Sequence, residues 1–122
     1  MSTHTPGDVV RIGNVLVPTS DMRRTREFYT TALGLAVKFA DGDRFVALDG
    51  GSTTLALVSP EEDVTSGRVA ASFKVADVHS VLEAVQQAGG TVVRQPEEGP
   101  HEIRAVVADP AGNISVVYAP IP

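Results

Sequence analysis

Asn14-Val15-Leu16-Val17-Pro18-Thr19-Ser20-Asp21, running into Met22 and on to Leu33-Gly34, is the stretch whose reading decides the fold. Its opening, residues 9–17, is rich in β-formers, and Pro18 to Asp21 breaks the strand and supplies Asp21 as a helix cap. Residues 25–33 then recur at helical spacing, and Gly34 stops them. Moving outward, three short strands are predicted at residues 36–40, 44–48 and 53–58. Asp41-Gly42-Asp43 and Asp49-Gly50-Gly51 separate them, and both are turn chemistry. The first half therefore reads βαβββ.

The second half repeats that order. A strand over 69–75 leads to a cap at Asp77, a helix from Val78 to Ala88 and a Gly89-Gly90 stop; strands over 91–95, 103–107 and 114–118 complete it. Asp21 and Asp77, Glu27 and Glu83, and Gly34 and Gly90 all stand 56 apart. Beyond the extra Pro96-Glu97-Glu98-Gly99 the spacing becomes 60, pairing Arg44 with Arg104, Asp49 with Asp109 and Pro60 with Pro120. The fold class expected is α+β: tandem βαβββ modules over 9–60 and 69–120, joined by a Pro/Glu/Asp/Ser/Gly-rich linker over 61–68. Two curved mixed sheets, each backed by one helix, would enclose a central cavity, which is the functional candidate.

Composition narrows the partners. At 122 residues, with 43% hydrophobic and 20% charged, the chain suits one globular domain. Its formal charge of −5 is interspersed and leaves no basic stripe, so nucleic acid is not expected. No apolar run reaches the roughly 20 residues of a membrane span. Met1 to Asp8 lack a basic-then-apolar leader, so a cytoplasmic location is expected. With no cysteine, thiol nucleophiles and thiolate metal sites are excluded.

The opening Asn14 to Met22 with Phe28-Tyr29 and Leu33-Gly34-Leu35, together with the closing Asp109-Pro110-Ala111-Gly112-Asn113 turn, resembles the vicinal-oxygen-chelate superfamily, the glyoxalase, bleomycin-resistance and dioxygenase group. The similarity runs from about Arg11 to Tyr118. It implies the duplicated fold but not one activity. Enzymes of that group usually hold a divalent metal with His and Glu side chains on the first and last strands of each module. Carried over, those positions fall on Asn14, Ala70, Ala56 and Val116. Ala and Val offer no donor, and one neutral Asn oxygen does not replace several nitrogen or carboxylate ligands. No metal and no cofactor are therefore expected.

Strand alternation then assigns the cavity wall. In residues 102–107 it puts Ile103, Ala105 and Val107 under the helix, leaving Glu102, Arg104 and Val106 opposite. The same argument puts Phe45 and Ala47 under the first helix and Arg44, Val46 and Leu48 toward the cavity. Ala70, Ser72 and Lys74 line it from the fifth strand, with small residues leaving room for a ligand. Asn14 and Tyr118 are polar anchors; Leu16, Ala56, Val58 and Val116 are apolar wall; Phe28 and Leu82 are core. Arg44 and Arg104 can hold a carboxylate or phosphate by forked hydrogen bonds, or pair with rim acids such as Asp43 and Glu102. Of three histidines, His4 and His79 read as solvent-facing, and His101 alone is placed to reach the pocket mouth. Glu61-Glu62-Asp63 and Glu97-Glu98 read as solvated turns.

The reading is a metal-free binder of a small organic molecule, drug-sequestering or metabolite-binding, working as a homodimer whose paired chains cover exposed sheet edges. The acidic charge suits a cationic drug, but the absence of Trp argues against stacking of flat heteroaromatics. Local Arg44, Arg104 and Lys74 argue instead for an organic anion. The alternatives are a metal-independent lyase or isomerase acting on a carbonyl compound through Arg44, Arg104, His101 or Tyr118, and a scaffold subunit whose pocket is filled by side chains.

Overall fold

A computed structural model describes residues 9–121, so His4 lies outside the described residues. They form β1 (Val9–Pro18), α1 (Met22–Thr31), β2 (Val37–Asp41), β3 (Phe45–Asp49), β4 (Thr54–Val58), β5 (Ala70–Val75), α2 (Val78–Gln87), β6 (Thr91–Glu98), β7 (Glu102–Ala108) and β8 (Ile114–Pro120). The mixed α+β order βαβββ-βαβββ is the one expected. Residues 13–70 form one compact unit, and residues 71–121 with 9–12 form a second.

In the first unit the strands lie in the order β2-β3-β4-β1, with β1 parallel to β4 and the other pairs antiparallel. The second repeats this as β6-β7-β8-β5, with β5 parallel to β8. Both helices begin as predicted. The Asp21 carboxylate accepts the Arg24 N–H at 3.1 Å, and the Asp77 carboxylate accepts the His79 N–H at 3.1 Å and the Ser80 hydroxyl at 2.7 Å. Each satisfies a donor that the first helical turn leaves orphaned.

Each helix covers one face of its sheet. On α2, Val78, Val81 and Leu82 pack with Val75, Ala105, Val107, Val117 and Ala119, and Phe73, Val85, Val92 and Ile103 flank them. On the first unit Met22 packs with Val46, Leu48 and Leu57, flanked by Val17, Tyr29, Leu35 and Leu55. The α1 face is therefore Met22 and Tyr29, one heptad apart, and Phe28, expected in the core, is 56% exposed. Adjacent helical residues point about 100° apart, so only one of the Phe28-Tyr29 pair can face the sheet.

A second correction concerns β3. Val46 and Leu48 lie under α1, and Phe45 and Ala47 lie on the other face, the reverse of the expectation. The cause is turn length. Val46 pairs with Leu57, and Ala105 pairs with Val117. Their offsets are 105 − 46 = 59 and 117 − 57 = 60. The β3–β4 turn has four residues, 50–53, and the β7–β8 turn has five, 109–113. A slip of one residue inverts every side chain on a strand, so Phe45, not Arg44, is the counterpart of Arg104. The helix exits differ likewise. Leu35 N–H bonds Tyr29 C=O and Gly90 N–H bonds Val85 C=O, while Gly34 and Gly89 both take positive φ. Gly34 thus matches Gly89 rather than Gly90, an offset of 55.

The expected linker contains a bonded turn. The Asp63 carboxylate accepts the Thr65 N–H and hydroxyl, both at 2.8 Å, and the Gly67 N–H at 2.6 Å. Strand β6 also continues past residue 95 to Glu98 through a bulge between Arg94 and Glu97. That segment contains Pro96, which an edge strand tolerates because its missing N–H breaks no ladder bond.

Replacing Leu57, fully buried beneath α1, by Ala is expected to destabilise the protein by about 2–5 kcal/mol in urea unfolding. Phe28→Ala is expected to cost about 1 kcal/mol or less, because its main contact is an edge-to-face approach to Tyr29. Equal losses would reverse the assignment of the α1 face.

Candidate functional site

With one face of each sheet committed to a helix, functional side chains must be sought on the other. In the second unit, register places Lys74 beside Tyr118, Tyr118 beside Arg104 and Arg104 beside Glu97, one row crossing β5, β8, β7 and β6. Two residues along, Ser72, Val116 and Val106 make a second row on the same face. Ser72, Val106 and Val116 are buried, whereas Lys74, Tyr118 and Arg104 are partly exposed. Small buried residues thus lie next to longer polar ones that still reach solvent.

Electrostatics distinguishes this row from an ordinary surface. Among the described residues neither Lys74 nor Arg104 has an ion pair; Glu97, the neighbour of Arg104, turns instead to Arg94 at 3.6 Å. Partly desolvated cations without a counterion are unfavourable unless an anion is supplied. Glu102 is on the same strand face as Arg104. Burial pushes its carboxyl above the usual carboxylate range, and Arg104 and His101 pull it only partly back. The Tyr118 phenol is raised chiefly by burial, with Arg11 opposing and Glu102 adding. At neutral pH Tyr118 is therefore a neutral hydroxyl that can donate to a ligand oxygen. His101 is exposed in the β6–β7 turn, where its carbonyl accepts the Ile121 N–H at 3.2 Å.

The corresponding face of the first unit is apolar. Leu16 lies beside Ala56, Ala56 beside Ala47 and Ala47 beside Phe39; Val58 lies beside Phe45. The Phe39 and Phe45 rings approach at 6.4 Å between centroids. Asn14, beside Thr54, has a buried Oδ1 with no hydrogen-bond partner among the described residues, and the Thr54 hydroxyl accepts from Lys38 Nζ at 2.7 Å.

Most predicted residues therefore fall on the faces away from the helices: Asn14, Leu16, Ala56 and Val58 in the first unit, Ser72, Arg104, Val116 and Tyr118 in the second. Ala70 is buried at the start of β5. Val46 does not join them, since it is core under α1. Nor does Arg44, whose guanidinium bonds the Glu62 carboxylate and is held further toward its charged form by it. Phe45 and Phe39 are additions, and Glu102, expected as a rim acid, shares the face of Arg104. The signal for Phe45 was the unequal turn lengths, and Lys74 shares the parity of Ser72.

The donor set does not fit a superfamily metal. At the four positions stand Asn14, Ala56, Ala70 and Val116, a set that supplies one neutral oxygen and no imidazole or carboxylate.

Residues 14–117 match the family described as Glyoxalase-like domain. A protein of Mycolicibacterium smegmatis, described only as uncharacterized, is 40% identical over 107 residues, covering 88% of this chain and 91% of that protein. Among solved structures, a glyoxalase/bleomycin resistance protein/dioxygenase superfamily member from Vibrio splendidus aligns with a TM-score of 0.68 at 19% identity, covering 87% of this chain and 96% of that one. Methylmalonyl-CoA epimerase from Mycobacterium tuberculosis aligns with a TM-score of 0.70 at 18% identity, covering 100% and 94%. At such identities these two structures speak for the fold alone. No helix among the described residues is long and apolar enough to cross a membrane.

Glu102 is expected to titrate above the ordinary glutamate value of about 4.3 in a carboxyl-carbon NMR titration. Arg104→Met should move it further up by removing an attraction that favours the carboxylate. Because the folded pKa exceeds the unfolded one, Glu102 contributes stability below the unfolded value, and that contribution is lost as pH rises through the folded value. Glu102→Gln should accordingly gain on the wild type across that window; an Arg104→Met variant with a lowered Glu102 pKa would show that the two do not face each other.

Proposed function

Because the chain belongs to the glyoxalase-like domain family, and the superfamily's metal positions here offer one neutral oxygen and no imidazole or carboxylate, we propose that it binds a small organic anion through its own side chains, with no protein-held metal. The observation that carries this reading is the row Lys74, Tyr118 and Arg104: two partly buried cations without ion pairs among the described residues, on the strands either side of a neutral phenol. Neighbouring strands lie about 4.8 Å apart, so one carboxylate can reach the phenol and either cation. Arg104 offers a forked pair of donors, Lys74 a point charge and Tyr118 an oriented O–H.

The net charge of −5 does not oppose this. Exposed charges more than about 10 Å away are largely screened at 0.1 M salt, and local cations dominate. The buried Ser72, Val106 and Val116 suit a short aliphatic or carbonyl-bearing body behind the carboxylate. A drug-sized flat heteroaromatic is less well served, since no Trp and few aromatic rings are present to stack on it.

Calorimetry with matched carboxylates, amides and amines tests the proposal. Carboxylates should bind best. Arg104→Met should weaken binding by about 1.5–3 kcal/mol, roughly ten- to a hundredfold. Lys74→Met should act in the same direction, Arg44→Met should change nothing, and a strong chelator should leave affinity intact. Preference for amines, or loss of binding on chelation, would sink the reading.

A second reading, a metal-independent lyase or isomerase acting on a carbonyl compound, is favoured by one observation: Glu102 carries a partly buried carboxyl of raised pKa on the same face as Arg104 and near Tyr118. A proton-transferring group works best with a pKa moved toward neutrality. Under this reading Glu102→Gln retains carboxylate binding and abolishes solvent deuterium exchange into the bound molecule. Exchange that persists in that variant, or is absent from the wild type, rejects it.

A further inference from the structure

The duplication provides an internal control for every site, because each position in one unit has a counterpart whose packing can be read directly. On the helix side of the second sheet, away from the Lys74–Tyr118–Arg104 row, a cleft of about 190 Å³ opens between the end of α2 and the β7–β8 turn, lined in part by Val85, Ala88, Gly90, Val107, Pro110 and Ser115. Three of these residues are truncations of their counterparts. Val85 stands where α1 has Tyr29, 56 residues earlier. Gly90 stands where the first unit has Leu35, since both donate their N–H to the equivalent helical carbonyl. Ser115 stands where β4 has Leu55, an offset of 60 fixed by the Leu57 and Val117 pairings.

In the first unit Tyr29, Leu35 and Leu55 all pack against the α1 core cluster. The chain itself therefore shows what fills this position when it is filled: one phenol ring and two branched aliphatic groups. In the second unit that material is missing, and the backbone has closed only part of the gap. A Cβ built on Gly90 would lie 2.6 Å from the Ala108 carbonyl oxygen and 2.8 Å from Val85 Cγ1, so no side chain can be restored there. The remaining volume is comparable to the roughly 150 Å³ apolar cavities that accept a benzene ring. Its wall is apolar except at Asp109, whose carboxylate accepts from the Ala111 and Asn113 N–H groups, and at Ser115, whose hydroxyl makes no hydrogen bond with any described residue and matches one polar group on such a ring.

We propose that this cleft is a separate small-molecule site that takes a single phenol-sized ring, the free-ligand equivalent of the Tyr29 side chain, with its hydroxyl toward Ser115. Contact with Val85, Ala88 and Val107 supplies the apolar burial. The ligand would brace the end of α2 against the Asp109 turn, where the carboxylate already holds the Ala111 and Asn113 N–H groups at 2.9 Å each. This does not depend on the anion site, because the two lie on opposite faces of the sheet.

Phenol itself is the probe, titrated into the full chain and followed by amide and methyl NMR. Saturable shifts confined to residues lining the cleft are expected, with nuclear Overhauser contacts from the ring protons to the Val85 and Val107 methyls. Ser115→Leu, which restores the Leu55 counterpart, and Val85→Tyr, which restores Tyr29, should each weaken binding about tenfold or more while keeping native spectra elsewhere. The paired variants guard against one of them failing to fold, and the ring-to-methyl contacts decide the question in the wild type alone. Shifts that do not saturate, absence of those contacts, shifts unchanged in a folded Ser115→Leu variant, or cleft shifts produced by raising protein concentration rather than by phenol would each overturn the proposal; the last would assign the cleft to a second copy of the chain.

Discussion

A helix laid on a four-stranded sheet can cover only one of its faces, and alternation then fixes which side chains remain on the other. In the second unit that constraint is met by Val78, Val81 and Leu82 packing on Val75, Ala105, Val107 and Val117. Once those residues are under α2, Ser72, Lys74, Arg104, Val106, Val116 and Tyr118 have no choice of face. The candidate site is thus a consequence of core packing. Its polar groups are where they are because their sequence neighbours are apolar and needed elsewhere.

The same constraint, applied to nearly the same plan, gives the first unit a different chemistry. One residue fewer in the β3–β4 turn places Phe45 where the second unit has Arg104, and Arg44 is left to pair with Glu62. One face is consequently apolar, carrying Leu16, Ala56, Val58 and the Phe39–Phe45 pair, while the other is cationic. A single-residue difference in turn length is enough to put apolar side chains on this face in one unit and charged ones in the other. The helix sides diverge in the opposite sense, with Tyr29, Leu35 and Leu55 filling a position that Val85, Gly90 and Ser115 leave open.

Several groups in the protein have needs that their described neighbours do not meet. Among the described residues Lys74 and Arg104 are partly removed from water without an ion pair, and burial drives Glu102 toward its neutral form. Asn14 keeps a buried oxygen with no donor among the described residues. Unsatisfied groups of this kind are destabilising, which makes each of them a position to examine for a partner. Elsewhere the protein satisfies its charges locally, as Asp21 and Asp77 do at the helix starts and Asp109 does within its turn. Hydrogen bonding from Asn113 holds Asp109 below the usual carboxylate range, as Ser80 does for Asp77.

Much of this was legible in the amino-acid order because it depends on local chemistry. Caps at Asp21 and Asp77, the turn residues and the matched spacing of the two halves determined the element order. At the four positions to which the family resemblance carries the metal ligands, the order shows Asn14, Ala56, Ala70 and Val116, which together offer one neutral oxygen. Alternation within β5, β7 and β8 correctly grouped Ser72, Arg104, Val116 and Tyr118. What the sequence did not determine was phase. Period-2 and period-3.6 patterns say which residues share a face, but not which face meets the core when both sets are apolar, as with Phe45-Ala47 against Val46-Leu48 and Phe28 against Tyr29. That choice is made by long-range packing of Met22 and Tyr29 against Leu48 and Leu57, and by turn lengths that set register between strands. The pairing of Arg44 with Glu62, the unpaired state of Lys74 and Arg104, and the cleft beside Ser115 are likewise decided only in the tertiary structure, because each depends on distances between residues that the linear order places far apart.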